Sequence, residues 1–171
     1  MTPIDLFFRA ALRHPDRVAL DAPGRQRRFA DLADEVRALA AGLQALDPQV
    51  GSRVALIAAN TPEHVTAWLV ILAAGKVWVP ISYRTAGPEV ARILQAVAPS
   101  LVLVDAVGLG LLDSASVDSA SVDSASVDGA SAAGASSAGE GGWPPARPPI
   151  RIDDPTARQA LIAAAGGRAR V

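Results

Sequence analysis

Few side chains in this 171-residue sequence could carry chemistry. There is no cysteine, which excludes thiolate nucleophiles, thiolate metal sites and disulfides. The two histidines, His14 and His64, are too few for a histidine-based metal site, so no metal ligand is assigned. His64 has no serine and aspartate placed by spacing to complete a triad, and no catalytic residue is assigned. The only lysine, Lys76, marks a helix-to-strand junction. Two candidate binding residues remain. Asn60 stands at the carboxyl end of a predicted parallel strand, and ligands of open α/β sheets bind outside such ends. The commoner role for an asparagine there is a hydrogen bond to turn backbone. Arg84 follows the next strand and could meet a phosphate or a carboxylate, although a surface ion pair is the commoner role.

These positions depend on an alternation of helix and strand signals. Thr2 suits an N-cap, Pro3 the first helical position and Asp5 the positive helix end, with Pro15 closing the helix. Residues 18–20 read as a strand, 21–24 as a turn and 26–29 as the returning strand of a hairpin. Phe29, Leu32, Val36, Leu39, Ala40 and Leu43 recur at helical spacing, and Asp47–Pro48 ends that helix. Residues 53–59 form a near-continuous apolar run, which suits a strand covered on both faces. Thr61 caps the next helix, Pro62 opens it, and Val65, Trp68, Leu69 and Leu72 are its predicted buried face. Gly75 is placed as a left-handed stop. Residues 77–81 give a strand, 89–97 a helix and 101–104 a third strand. The pattern predicts an α/β fold, a partial doubly wound parallel sheet with flanking helices.

From Asp113 the composition collapses to Ser, Ala, Gly, Val and Asp, in a pentad repeat matching neither helix nor strand. One valine per repeat cannot offset the entropy of ordering, so a disordered low-complexity segment is expected. Residues 143–149 form a proline-rich spacer. The expected organisation is a subdomain over 1–112, an irregular linker over 113–149, and a strand and helix over 150–171 that rejoin the same domain.

The ordered segments, in this order, resemble the N-terminal part of adenylate-forming (AMP-binding) acyl-CoA synthetases and ligases. The resemblance is carried by Phe29-Ala30-Asp31-Leu32 with Leu39, Ala40 and Leu43. It continues in Gly51-Ser52-Arg53-Val54, Asn60-Thr61-Pro62-Glu63, Leu72-Ala73-Ala74-Gly75 with Val79-Pro80, Arg84 with Glu89 and Leu94, and 101–104. It implies ATP-driven carboxylate adenylation followed by thioester formation, an acid–thiol ligase activity of the fatty acid metabolism type. ATP, magnesium and coenzyme A are the implied cofactors. Where the family commonly has Asp, this chain has Ser52. The family's Ser/Thr/Gly-rich phosphate loop ending in Pro-Lys is missing. Its nearest imitation, residues 136–144, lacks lysine and threonine, and Glu140 there would repel phosphate. The chain is therefore expected to be an N-terminal fragment, inactive alone and binding none of these cofactors well. The alternative is a non-catalytic truncated paralogue acting as an interaction module. The expected partner is the missing remainder of the synthetase or an intact homologue.

Bulk properties agree. Formal net charge is −1, from 16 basic and 17 acidic residues, which provides no field for nucleic acid. Arg25, Arg27 and Arg28 make the best local basic cluster and read as a solvated edge. No signal peptide is visible, and the most apolar stretch, 67–81, is too short and too broken for a membrane span. A cytoplasmic location is expected.

Overall fold

The computed structural model describes residues 1–122 and 147–166, the side chains of 116–122 excepted. Helix α1 (Pro3–Arg13) starts at a reciprocal capping box. Asp5 N donates to Thr2 Oγ1 (3.4 Å) and Thr2 N to Asp5 Oδ2 (2.8 Å). Strands β1 (Val18–Ala22) and β2 (Arg25–Arg28) pair antiparallel across the turn at Gly24, whose φ of 73° favours glycine. The basic edge is neutralised by ion pairs of Arg25 with Glu63, Arg27 with Glu35 and Arg28 with Asp16. Helix α2 (Phe29–Leu46) buries Leu32, Val36, Leu39, Ala40 and Leu43, the face read from spacing.

The main sheet is parallel, with β3 (Arg53–Ile57), β4 (Val77–Ile81), β5 (Leu101–Val104) and β6 (Ile150–Arg151) in the order β4-β3-β5-β6. Strands β3 and β5 are the inner pair, and both run apolar and buried on both faces. Helix α3 (Pro62–Ala73) lies with α2 and α6 (Pro155–Gly166) on one face, over a core of Leu32, Val36, Leu43, Leu56, Ile71 and Leu103. Helices α4 (Gly87–Val97) and α5 (Ala106–Val122) pack the other face around Ile57, Val90, Leu94 and Leu112. Helices on both faces make this a doubly wound unit. No described helix is long and apolar enough to cross a membrane.

Three features depart from the sequence reading. The buried residues of α3 are Thr66, Ala67, Leu69, Val70 and Ile71, while Val65, Trp68 and Leu72 are only half-buried. An almost uniformly apolar helix leaves the choice of face to its neighbours, α1 and α2 above and the sheet below. Thr66 is accommodated because its Oγ1 donates to Pro62 O (2.9 Å). Helix α4 begins at Gly87, two residues early, so Pro88 falls in its first turn. Finally, α5 continues to Val122, past the point where irregular structure was expected. Leu112 and Ala115 are buried, and their packing carries the helix into the Ala/Ser-rich repeat. The rest of the repeat, and the loop-like stretch 136–144, lie outside the described residues.

The last pieces close the domain. Strand β6 pairs with β5 through Leu103↔Ile150 and Val104↔Arg151. Helix α6 then lies against α2 so closely that a Cβ on Gly42 would stand 1.9 Å from Leu161 O. Arg158 adds an ion pair to Glu35, the carboxylate that Arg27 also uses.

Candidate functional site

The order β4-β3-β5 reverses direction between β3 and β5, so the switch-point crevice of an open α/β sheet falls between those two strands. Here that crevice is filled. Asp105, 5% exposed, accepts from Ala59 N (Oδ2, 2.8 Å) and Gly108 N (Oδ1, 2.8 Å). It thereby joins the end of β3 to the first turn of α5. A Cβ on Gly108 would lie 1.9 Å from Ile57 O, so the helix end sits directly on the strand end. Sequence reasoning assigned Asp105 no role. Its signal was a carboxylate immediately after a buried strand and before a helix.

The open space lies one strand over. A cleft of about 430 Å³ at the carboxyl ends of β3 and β4 is lined by Asn60, His64, Trp78, Tyr83 and Arg84, with Ala58 and Pro80. Each side chain has a local reason for its place. Asn60 precedes the Thr61 cap, which accepts from His64 N (3.3 Å) and starts α3 in the cleft wall. That cap puts His64 in the first turn, where its Nδ1 meets Ala58 O (3.2 Å). A carbonyl accepts only, so Nδ1 is the donor in this contact. After β4, Ser82 closes a turn, with its carbonyl accepting from Thr85 N (3.0 Å) and its hydroxyl from Arg84 N (3.2 Å). The turn exposes Arg84, whose guanidinium lies 5.4 Å from the Tyr83 ring centroid with Nε 3.3 Å from Tyr83 Oη. Trp78 pairs with Trp68 at 5.9 Å between ring centroids, and its buried Nε1 has no partner among the described residues.

The two candidates from sequence, Asn60 and Arg84, thus share one cleft. The commoner role assigned to each is not what the structure holds. Among the described residues, the Asn60 side chain makes no hydrogen bond and Arg84 no ion pair. At Asn60 the turn closes through backbone groups, Thr61 N donating to Ala59 O (2.9 Å). The cleft therefore offers an unpaired cation, an unpaired amide, an imidazole and aromatic walls. That set suits a ligand with an anionic group and a flat or apolar part. Among the described residues, no group of three or more His, Asp or Glu side chains is placed to hold a metal ion.

The amino ends of the same strands hold a different cluster. Lys76, its side chain 1% exposed, donates through Nζ to Asp47 O (2.5 Å), Gln49 O (2.5 Å) and Ser52 Oγ (3.0 Å), with Asp47 Oδ2 at 3.3 Å. Burial works against the Asp47 carboxylate. Hydrogen bonds from Ser100 Oγ (2.6 Å), Ser52 Oγ (2.5 Å) and Gln49 N (3.1 Å), with Lys76, outweigh it and hold its pKa at about 2. Ser52, which departs from the usual family residue, is a working member of this cluster.

Comparison with known proteins agrees with this architecture. The model of the AMP-binding enzyme family matches residues 7–159. The chain is 40% identical to phenyloxazoline synthase MbtB of Mycobacterium tuberculosis over 100 residues, 58% of this chain and 7% of that protein. A structure assigned as a long-chain-fatty-acid CoA ligase from Rhodopseudomonas palustris superposes with a TM-score of 0.63 at 26% identity, covering 69% of this chain and 30% of that one. Klebsiella oxytoca NpsA in complex with 3-hydroxyanthranilyl-AMSN superposes with a TM-score of 0.56 at 30% identity, over 60% of this chain and 21% of that one. The chain thus spans less than a third of each of these proteins.

Proposed function

Because the chain belongs to the AMP-binding enzyme family, we propose that it is the front portion of an adenylate-forming ligase. Such an enzyme activates a carboxylic acid with ATP and passes the acyl group to a thiol. The observation that carries this reading is the match through every strand of the parallel sheet, together with the unpaired Asn60 and Arg84 in one cleft at the strand ends. ATP, when bound, supplies the adenylyl group. Arg84 faces the anionic part of the ligand and Asn60 offers it an amide, while Trp78 and Tyr83 wall off water.

An aryl acid is the favoured substrate class. The 40% identical relative is named a phenyloxazoline synthase and the 30% identical NpsA was solved in complex with 3-hydroxyanthranilyl-AMSN, whereas the fatty-acid ligase stands at 26%. The thiol is coenzyme A or one carried by a protein.

The chain is inactive alone on this reading. Its only lysine lies buried at the amino ends of the strands, so none can reach phosphates at the cleft. That role falls to residues outside this chain, the expected partner. A second reading, an interaction module, is favoured by the open sheet: among the described residues no strand pairs with the outer edges of β4 and β6. ATP–pyrophosphate exchange on the purified chain, over a panel of aryl and fatty acids, tests the first reading. Background exchange is expected with every acid, and exchange above background would refute it. Titration with 3-hydroxybenzoyl-AMSN should show weak binding, on the order of 1 mM, that Arg84→Ala abolishes. Unchanged binding would remove Arg84 from the site.

A further inference from the structure

Helix α1 has two faces. Ile4, Phe7 and Phe8 pack against the core and Ala11 is buried. The other face is open. Leu6, Arg9 and Arg13 follow along it at i, i+3 and i+7, with Leu12 three positions beyond Arg9 on the far side of the arginines. Leu6 is 56% exposed and Leu12 76%. Arginines nearby are balanced: Arg25, Arg27 and Arg28 in the hairpin and Arg37 in α2 each meet a carboxylate. Among the described residues, Arg9, Arg13 and Arg17 form no ion pair, and Arg9 reaches only Met1 Sδ (3.7 Å). The acids beside them are engaged, Asp5 in the Thr2 cap and Asp16 with Arg28. Three cations at four-residue steps thus stand beside exposed leucines, although the chain as a whole carries a net charge of −1.

We propose that this face of α1, with Arg17, docks on an anionic phospholipid surface. A helix lying in the plane of such a surface holds its guanidiniums at the depth of the phosphates, each able to meet two phosphate oxygens. The leucines on either side of the arginine row enter the acyl boundary, and the aliphatic stems of Arg9 and Arg13 cover the strip between them. A protein partner would need a row of carboxylates with an apolar groove on both sides of it. A fluid interface supplies both kinds of group at whatever spacing the helix presents. The Thr2 capping box and the core contacts of Phe7 and Phe8 hold the helix formed before it meets the surface, so docking costs little backbone ordering. Three cations and two leucines give a weak, reversible attachment, which needs no spanning helix. The proposal does not depend on the adenylation reading.

The test sediments the full chain with vesicles of phosphatidylcholine alone and with vesicles of equal phosphatidylcholine and phosphatidylglycerol. Binding at low salt should be about tenfold or more tighter to the anionic vesicles, and should weaken as salt is raised to about 0.5 M. Arg9→Gln with Arg13→Gln and Arg17→Gln should weaken it on the order of a hundredfold, about fivefold for each cation. Leu6→Ser with Leu12→Ser should weaken it about tenfold at unchanged charge. All of these side chains are exposed, so both variants should keep the melting temperature within about two degrees. Equal binding to the two kinds of vesicle would overturn the proposal. A leucine variant that binds as the unaltered chain does would also overturn it, leaving only diffuse charge attraction. Self-association of the chain in light scattering, abolished by the same substitutions, would assign the face to a second copy instead. If a variant fails to fold, the comparison of the two vesicle compositions with the unaltered chain still decides.

Discussion

The substitution Asp47→Asn tests the electrostatic account of the Lys76 cluster most directly. The carboxyl stands at about 2 in the folded chain against an ordinary 3.8, although burial opposes its ionisation. The gap corresponds to about 2 kcal/mol of folding stability. A depressed folded pKa sets the sign: the contribution is complete above about pH 4 and is lost as pH falls through 2. The amide introduced at this position would keep a hydrogen-bond acceptor but no charge, so Lys76 would retain its two carbonyls and lose its counter-ion. Urea unfolding at pH 7 should show the variant less stable by about 2 kcal/mol, roughly 1 M in midpoint for a chain of this size. Repeating the titration from pH 6 down to 2.5 should shrink the difference to less than half. Other carboxylates titrate alike in both chains, so the difference isolates Asp47. A stability difference that stays constant across this range would refute the charge-based reasoning, leaving only a lost packing contact.

Gly42→Ala should destabilise the chain by about 1–3 kcal/mol despite alanine's better helix propensity, because its Cβ would meet Leu161 O at 1.9 Å. Amide exchange should show the protection of α6 lost before that of α2. Gly108→Ala should likewise lower the urea midpoint, and a near-neutral result would show that α5 does not rest on Ile57 as described. Thr61→Ala should cost about 1 kcal/mol through loss of the bond to His64 N, read by thermal unfolding. Arg84→Ala should leave the melting temperature within about one degree, since the guanidinium has no ion-pair partner among the described residues.

The local signals in this chain were strong enough to place its elements. Thr2-Pro3 and Thr61-Pro62 opened helices, and Gly75 at a φ of 70° closed one, because these residues act through their own backbone and immediate neighbours. The unbroken apolar runs of β3 and β5 already implied strands covered on both faces. Where a segment was uniformly apolar, as in α3, periodicity carried no direction, and the face was set by what it packs against. The repeat failed as a guide at its front edge for a related reason: Leu112 and Ala115 gain burial only once α5 lies on the sheet.

For the site, residue types and their places along the chain already named the groups that could act: an asparagine and an arginine just past two strands, and a single lysine. That Asn60 and Arg84 open into one cleft, that Asp105 closes the neighbouring crevice and that Lys76 is sealed at the opposite end emerged with the folded arrangement. The reason is distance along the chain. Asp47 and Ser100 are 53 positions apart, and Ala59 and Asp105 are 46. No local propensity encodes their contact, which exists only because parallel pairing aligns β3, β4 and β5 residue for residue.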